Sequence, residues 1–240
     1  MKNIEIILAG IPIRLGLRLP ETASCFQSFL VQEDCSSYDV CIREEETRDY
    51  PLICPDNRLT PAAESYILMA HVSRYLLKKK RVLIHGTAFC WQDKAWLITG
   101  PSGIGKTTQL RYWQKYWKDE IELIGGDKCV LEECEDSTFR LYPSPWTGKE
   151  KDQGTGSGIL GGMILLRQDE CNCIASINAK EAVVPLFDQL LINGETKEEL
   201  IKAGAILDGL LKAVPVYLLK NRGDAASAIL TRDYLMEKVQ

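Results

Sequence analysis

HGTAFCWQDKAWLITGPSGIGKTTQL, residues 85–110, is the stretch on which the reading of this chain turns. Two apolar runs flank the polar WQDK, which reads as a strand, a turn and a second strand. The second strand enters Gly100-Pro-Ser-Gly-Ile-Gly-Lys106-Thr107, which satisfies G-x-x-x-x-G-K-[ST]. The glycines let the backbone curl so that successive N–H groups face phosphate oxygens. Lys106 is placed to reach the β and γ phosphates, and the Thr107 hydroxyl to ligate Mg²⁺. The helix that follows directs its positive end at the same anion. Gly100, Ser102, Gly103, Ile104, Gly105, Lys106, Thr107 and Thr108 are therefore the candidate nucleotide-binding residues, with ATP and Mg²⁺ as the implied ligands.

Two further residues carry the chemistry. Phosphoryl transfer to a hydroxyl needs a base for the attacking proton and positive charge around the transferring group. In ELIGGDKCVLEE, residues 122–133, Asp127 follows an apolar strand and a Gly-Gly turn, which suits a carboxylate exposed at a strand end. It reads as that base, as the Mg²⁺-binding carboxylate of an ordinary P-loop NTPase, or as a plain turn aspartate. His85 stands just upstream of the loop, where most nucleotide-binding folds need no histidine. On a buried strand it is ordinarily a satisfied core residue. In a hairpin, the register decides whether it reaches the start of the second strand or the loop.

Composition bounds the alternatives. The chain has 240 residues, 45% of them hydrophobic and 26% charged, the values of a globular protein with one large domain or a main domain and an appendage. A net charge of −4 argues against nucleic acid as a partner. The basic cluster Lys78 to Arg81 closes an apolar-periodic segment and reads as a helix C-terminus. No run is apolar enough to cross a membrane. Nine scattered cysteines read as reduced thiols of a cytoplasmic protein, with Cys171 and Cys173 too isolated for a zinc site.

Residues 1–58 read as a small antiparallel β-rich region, with strands at Ile4 to Leu8, Ile11 to Leu17, Phe26 to Val31 and Tyr38 to Arg43. Residues 59–240 read as the main domain. Thr60 and Pro61 start a helix whose face carries Leu68, Val72, Tyr75 and Leu76, and His71 on it has no metal-ligand partner. Leu110, Trp113 and Trp117 form a stripe that reads as core rather than as a base-stacking platform. Strands follow at Ile121 to Ile124, Cys129 to Glu132, Phe139 to Tyr142, Met163 to Leu166 and Cys173 to Ile177. Thr196 and Glu199 make a capping box before a helix, VPVYLL gives another strand, and Asp224 to Val239 a last helix. The class is α/β.

HG before a strand pair, then LITGPSGIGKT, then LIGGDKCVL, resembles the HPr kinase/phosphorylase family, which shares the P-loop fold of ATP-dependent phosphoenolpyruvate carboxykinase. SPWTGKE, residues 144–150, is similar to a subgroup of such proteins, some encoded near ribosomally made peptide clusters. The resemblance runs from about residue 81 to 220. It implies a mixed sheet with flanking helices, and a catalytic set of His85, Lys106 and Asp127 with Thr107 on Mg²⁺. Asp127 would take a serine proton, Lys106 would neutralise phosphoryl charge, and His85 would orient or stabilise it. Two departures stand out. The family's paired aspartates are here Gly126-Asp127, and its later metal-binding signature is not recognisable. Glu150 is a candidate metal ligand in that neighbourhood, Lys149 a candidate phosphate contact, and Trp146 and Gly148 could simply shape a turn. HPr itself is therefore not the expected acceptor; the resemblance points to a hydroxyl, usually serine, on a peptide or small molecule. A non-catalytic nucleotide sensor or scaffold is the alternative, supported by the missing carboxylate. An NTP hydrolase would want a water-orienting glutamine or glutamate that is not evident. Nothing in the residues excludes a homo-oligomer.

Overall fold

The computed structural model describes residues 2–32, 38–41, 46, 54, 58–148, 150–192 and 196–239. Near the N-terminus, β1 (Lys2–Leu8) and β2 (Ile11–Leu17) pair antiparallel around Ala9 and Gly10, both at positive φ, the conformation a two-residue hairpin turn requires. Alternate residues face inward, so Ile4, Ile6 and Leu8 are buried with Ile11, Ile13 and Leu15. β3 (Tyr38–Cys41) adds to β2 in parallel, so this region is not the wholly antiparallel one expected. Arg43, the expected end of that strand, lies outside the described residues.

The strand expected from Phe26 is a 3₁₀ helix instead, Pro20–Phe29, with only Leu30 bridging to Ile6. Pro20 pre-sets the first helical turn, and Phe26 and Thr22 are its buried residues; an alternating buried face is lacking. Helix α1 (Pro61–Lys78) begins where the sequence places it, Thr60 accepting the Ala63 N–H. Ile67, Leu68, Val72 and Leu76 share one core with β1, β2 and Phe26, and with Leu83, Val130 and Trp146. Lys78 ends α1 and Lys79 caps it, while Arg81, at the other end of the basic cluster, opens the next strand and donates to the Lys79 carbonyl at 2.9 Å.

Among the described residues, eight strands form the large sheet. β4 (Arg81–Trp91) and β5 (Lys94–Thr99) are a hairpin, with Gly86 opposite Thr99. β9 (Gly158–Gln168) runs parallel to β5, β11 (Val216–Asn221) parallel to β9, and β10 (Cys173–Ile177) antiparallel at the edge. On its other edge β4 has two partners in succession: β7 (Lys128–Glu133) along Arg81 to His85, and β6 (Glu122–Gly125) along Ala88 to Cys90. β8 (Phe139–Pro143) pairs with β7 and touches β9 at Arg140 and Leu141, closing β9, β5, β4, β7 and β8 into a ring.

Central strands are apolar on both faces, as doubly covered strands must be. Ala95 and Leu97 join a core with α3 (Ala179–Phe187) and α4 (Lys197–Ala213). Trp96 and Ile98 join another with α2 (Lys106–Trp117) and α5 (Ala225–Val239). Leu110 and Trp113 are fully buried there and Trp117 packs against them, so the aromatic stripe is core. Thr196 and Glu199 form the expected capping box. α3 was not expected; Asn178 and Glu181 form the same box ahead of it.

A buried carboxylate ties the N-terminal sheet to α1. Glu64 is fully buried and accepts the Arg18 N–H at 2.6 Å, the Leu19 N–H at 3.0 Å and the Thr22 hydroxyl at 2.6 Å. Glu64→Gln keeps the size but replaces one acceptor oxygen by a donor among donors. The urea midpoint should fall by the equivalent of about 1–3 kcal/mol with an unchanged slope.

Candidate functional site

The odd-numbered face of β4 explains where the site lies. Leu83 enters the core under α1, while Phe89 and Trp91 enter the core under α2 and α5. Between them, His85 and Thr87 face the gap between two cores. Gly86 is dictated by the hairpin: a Cβ there would stand 2.6 Å from Leu97 Cδ1 and 2.9 Å from the Ile98 carbonyl. With Gly86 opposite Thr99, the His85 end of β4 reaches the start of the loop, and the Thr99 hydroxyl donates to the His85 carbonyl at 2.6 Å.

Asp127 arrives from the other edge. β6 and β7 share the edge of β4, and the chain must bend between them; Gly126 and Asp127 are that bend. The Gly86 N–H donates to the Asp127 carbonyl at 2.8 Å, while the preceding His85 N–H donates to the Gln189 carbonyl at 2.8 Å on the opposite edge. The side chains continue the pattern. His85 Nε2 lies 3.3 Å from Asp127 Oδ1, and Nδ1 lies 3.1 Å from Gln189 Oε1. Both neighbours are acceptor oxygens, so each ring nitrogen that carries a proton has a partner. Lys128 Nζ donates to Asp127 Oδ2.

His85, Lys106 and Asp127 line one cavity of about 500 Å³, together with Ser102, Gly103, Gly105, Thr107, Thr108 and Glu150. Gly100 and Ile104 lie outside it; both face a separate, more apolar cavity that Gln189 also lines. Gly100, Gly103 and Gly105 have φ of 143°, 79° and 111°, the left-handed region that a curled loop needs and glycine tolerates. Lys106 is buried and donates to the carbonyls of Gly100 at 2.8 Å and Pro101 at 3.0 Å. Burial lowers its ammonium from the ordinary value, with Asp127 opposing and Lys128 adding to the drop.

Three residues at this site had escaped the sequence reading: Gln189, Lys128 as the partner of Asp127, and Asp152. Asp152 lines the cavity and lies against Gly126, where a Cβ would stand 2.6 Å from the Asp152 Cβ. Its backbone carbonyl accepts the Gly126 N–H at 2.9 Å. Glu150 lines the cavity too, with its carboxylate 2.6 Å from Arg111 Nη2 of α2. Lys149 lies outside the described residues. Among the described residues, no three His, Cys, Asp or Glu side chains converge on one metal position. Thr107, Glu150 and Asp152 nonetheless offer the oxygen donors a hard cation takes, with phosphate and water to complete the shell.

Trp146 and Gly148 do more than turn the chain. Trp146 Nε1 donates to the Ser65 carbonyl of α1 at 2.9 Å, and its ring meets Phe26 edge-on at 6.1 Å between centroids. That anchor sets Gly148 against Asp127, a Cβ at Gly148 falling 3.1 Å from the Asp127 Cβ. His71, away from the site, lies 3.1 Å from Glu46.

No protein-family model matches the chain, and no curated protein does. Among solved structures it is similar to the Hpr(Ser) kinase/phosphatase from Coxiella burnetii, over 66% of this chain and 99% of that one. Sequence identity is 12% and the TM-score 0.37, a remote structural relationship and nothing more. Among the described residues, no helix is long and apolar enough to cross a membrane.

Burial would raise the Asp127 carboxyl, but the hydrogen bonds from His85 and Lys128, and their charge, outweigh it and hold it well below the ordinary carboxylate range. The folded chain therefore gains stability from this carboxylate above its unfolded value of about 3.9, and loses that gain as the pH falls from there through the depressed folded value. Asp127→Asn cannot ionise. Its thermal midpoint should lie below wild type at neutral pH, with the gap beginning to narrow only as the pH falls below about 4.

Proposed function

We propose that this chain is an ATP-dependent, Mg²⁺-requiring kinase that phosphorylates a hydroxyl of a small molecule or peptide. The observation that carries the reading is Asp127: a carboxylate on the wall of the loop cavity, held between His85 and Lys128. The glycine-rich loop, ending at the N-terminus of α2, has the form of a triphosphate cradle. The resemblance of His85, Lys106 and Asp127 to the HPr kinase pattern supports the same assignment.

In this reaction the acceptor O–H gives its proton to the Asp127 carboxylate. The acceptor oxygen forms a bond to the γ-phosphorus, and the bond between that phosphorus and the bridging oxygen breaks, its electron pair leaving with ADP. Lys106 exchanges its two loop carbonyls for phosphate oxygens and stabilises the charge that builds there. His85, fixed by Gln189, orients the Asp127 oxygen that receives the proton. Mg²⁺ carried in with the nucleotide would screen phosphate charge, held by the Thr107 hydroxyl and by Glu150 or Asp152.

A non-catalytic nucleotide sensor is the second reading. It draws on the same carboxylate, since an Asp127 kept ionised by two cationic or donating neighbours is a weak base unless one of them lets go. Titration of ATP·Mg²⁺ followed by γ-labelled ATP transfer to small hydroxyl compounds and serine peptides separates the two. A kinase binds ATP equally in wild type and Asp127→Asn, and the variant loses transfer by about 10²–10⁴-fold. Equal binding with no transfer from wild type favours the sensor. A wild type that does not bind ATP overturns both.

A further inference from the structure

A second cavity adjoins the first at the catalytic carboxylate. It has a volume of about 490 Å³ and shares Gly148 with the loop cavity. Asp127 lines one cavity and Lys128 the other, so their ion pair crosses the partition between them. The acceptor oxygen must reach Asp127 while the loop side is filled by triphosphate. The far side of Gly148 is an approach of this kind.

The walls come from four parts of the chain, Lys128 opening β7 being one of them. Ser24 and Cys25 belong to the 3₁₀ helix, Ser65 and Tyr66 to the start of α1, and Trp146 and Lys151 to the segment after β8. The lining includes two lysines, Lys128 and Lys151, and no carboxylate among the described residues. Serine, threonine and glutamine side chains supply neutral hydrogen-bonding groups, and Trp146 and Tyr66 a flat apolar wall. A recess lined by cations and hydroxyls but no acid favours an anion and disfavours a cation.

We infer that this cavity is the acceptor site of the proposed kinase, and that it takes a small molecule carrying both a hydroxyl and an anionic group. The inference rests on the kinase reading above and gives the N-terminal region a role in choosing the acceptor. It also supplies the release that Asp127 needs. An anion entering beside Lys128 offers its ammonium a second partner and draws it off the carboxylate. Asp127 then meets the acceptor hydroxyl as a stronger base. Without the anion, Lys128 keeps Asp127 engaged, so water in the acceptor's place is poorly activated and ATP is spared from hydrolysis.

The test is calorimetric titration of D-glycerate, L-lactate and glycerol 3-phosphate into the chain saturated with Mg²⁺ and a non-hydrolysable ATP analogue. Glycerol and choline serve as neutral and cationic controls. Ala62 is exposed on the first turn of α1 at the cavity wall, and Lys151 is exposed, so Ala62→Trp and Lys151→Glu are surface changes in two different elements. At least one of the anions should bind, and either substitution should weaken it by about tenfold or more, roughly 1.4 kcal/mol. Analogue affinity should not change. A carboxylate preference or a phosphate preference among the three anions identifies which anionic group the lysines select. The inference is overturned if none of the three binds, if glycerol or choline binds as well, or if Ala62→Trp leaves anion binding intact. Failure of wild type to bind the analogue overturns the kinase reading itself, so the two failures are distinct.

Discussion

Strand β4 is hydrogen-bonded along both edges, and at His85 and Gly86 both edges change partner. One edge passes from β7 to β6, the other from the Gln189 segment to β5. Each change of partner requires a chain end or bend at that level, and each brings a chemical group to it. The β6–β7 bend brings Asp127. The end of β5 brings the glycine loop, and the segment after α3 brings Gln189. A site assembled this way needs one strand that satisfies backbone groups on both sides at once, since an unpaired N–H in this interior would be costly. His85 and Gly86 meet that condition, their successive N–H groups donating to Gln189 and Asp127.

The same economy governs the second layer. The cavity wall at Gly148 is set by Trp146, and Trp146 is set by Ser65 and Phe26, residues of α1 and the 3₁₀ helix. Glu64, one residue before Ser65, ties those two elements together through three donors. The N-terminal sheet thus reaches the Asp127 carboxylate through three packed or hydrogen-bonded steps, at Glu64, Trp146 and Gly148. Loosening it would act on the position of Gly148 before it acted on the glycine-rich loop, which hangs from β5 and α2.

What was legible in the sequence was what is encoded locally. The hairpin around WQDK, the Thr60 cap and the Thr196–Glu199 box each depend on residues a few positions apart, and each formed where expected. β10 was legible to its ends because turn residues bound it on both sides. The 3₁₀ helix was misread as a strand because Phe26 and Phe29 look like β-formers, while Pro20 set the first turn from six residues away. α3 was legible in principle through Asn178 and Glu181, but Pro185 lies inside it. Gln189, Asp152 and the Asp127–Lys128 pairing could not be read at all. Gln189 lies 104 residues from His85 in sequence, and only the pairing of β4 brings them together.

Glycine at position 126 has a steric explanation that sequence could not offer. Asp152 packs against Gly126 so closely that its backbone carbonyl would lie 2.9 Å from a Cβ there. Any side chain at 126 would meet the Cβ and backbone of residue 152, so glycine is required there whatever side chain 152 carries. Asp152 brings a carboxylate to the cavity beside Asp127, from the segment that follows Gly148. Glycine at 126 is then a consequence of packing, and its presence is weak support for a chain that has lost its chemistry. On the kinase reading proposed above, what would distinguish an active centre from a retired one is whether Asp127 can part from Lys128, and the proposed acceptor anion would supply that release.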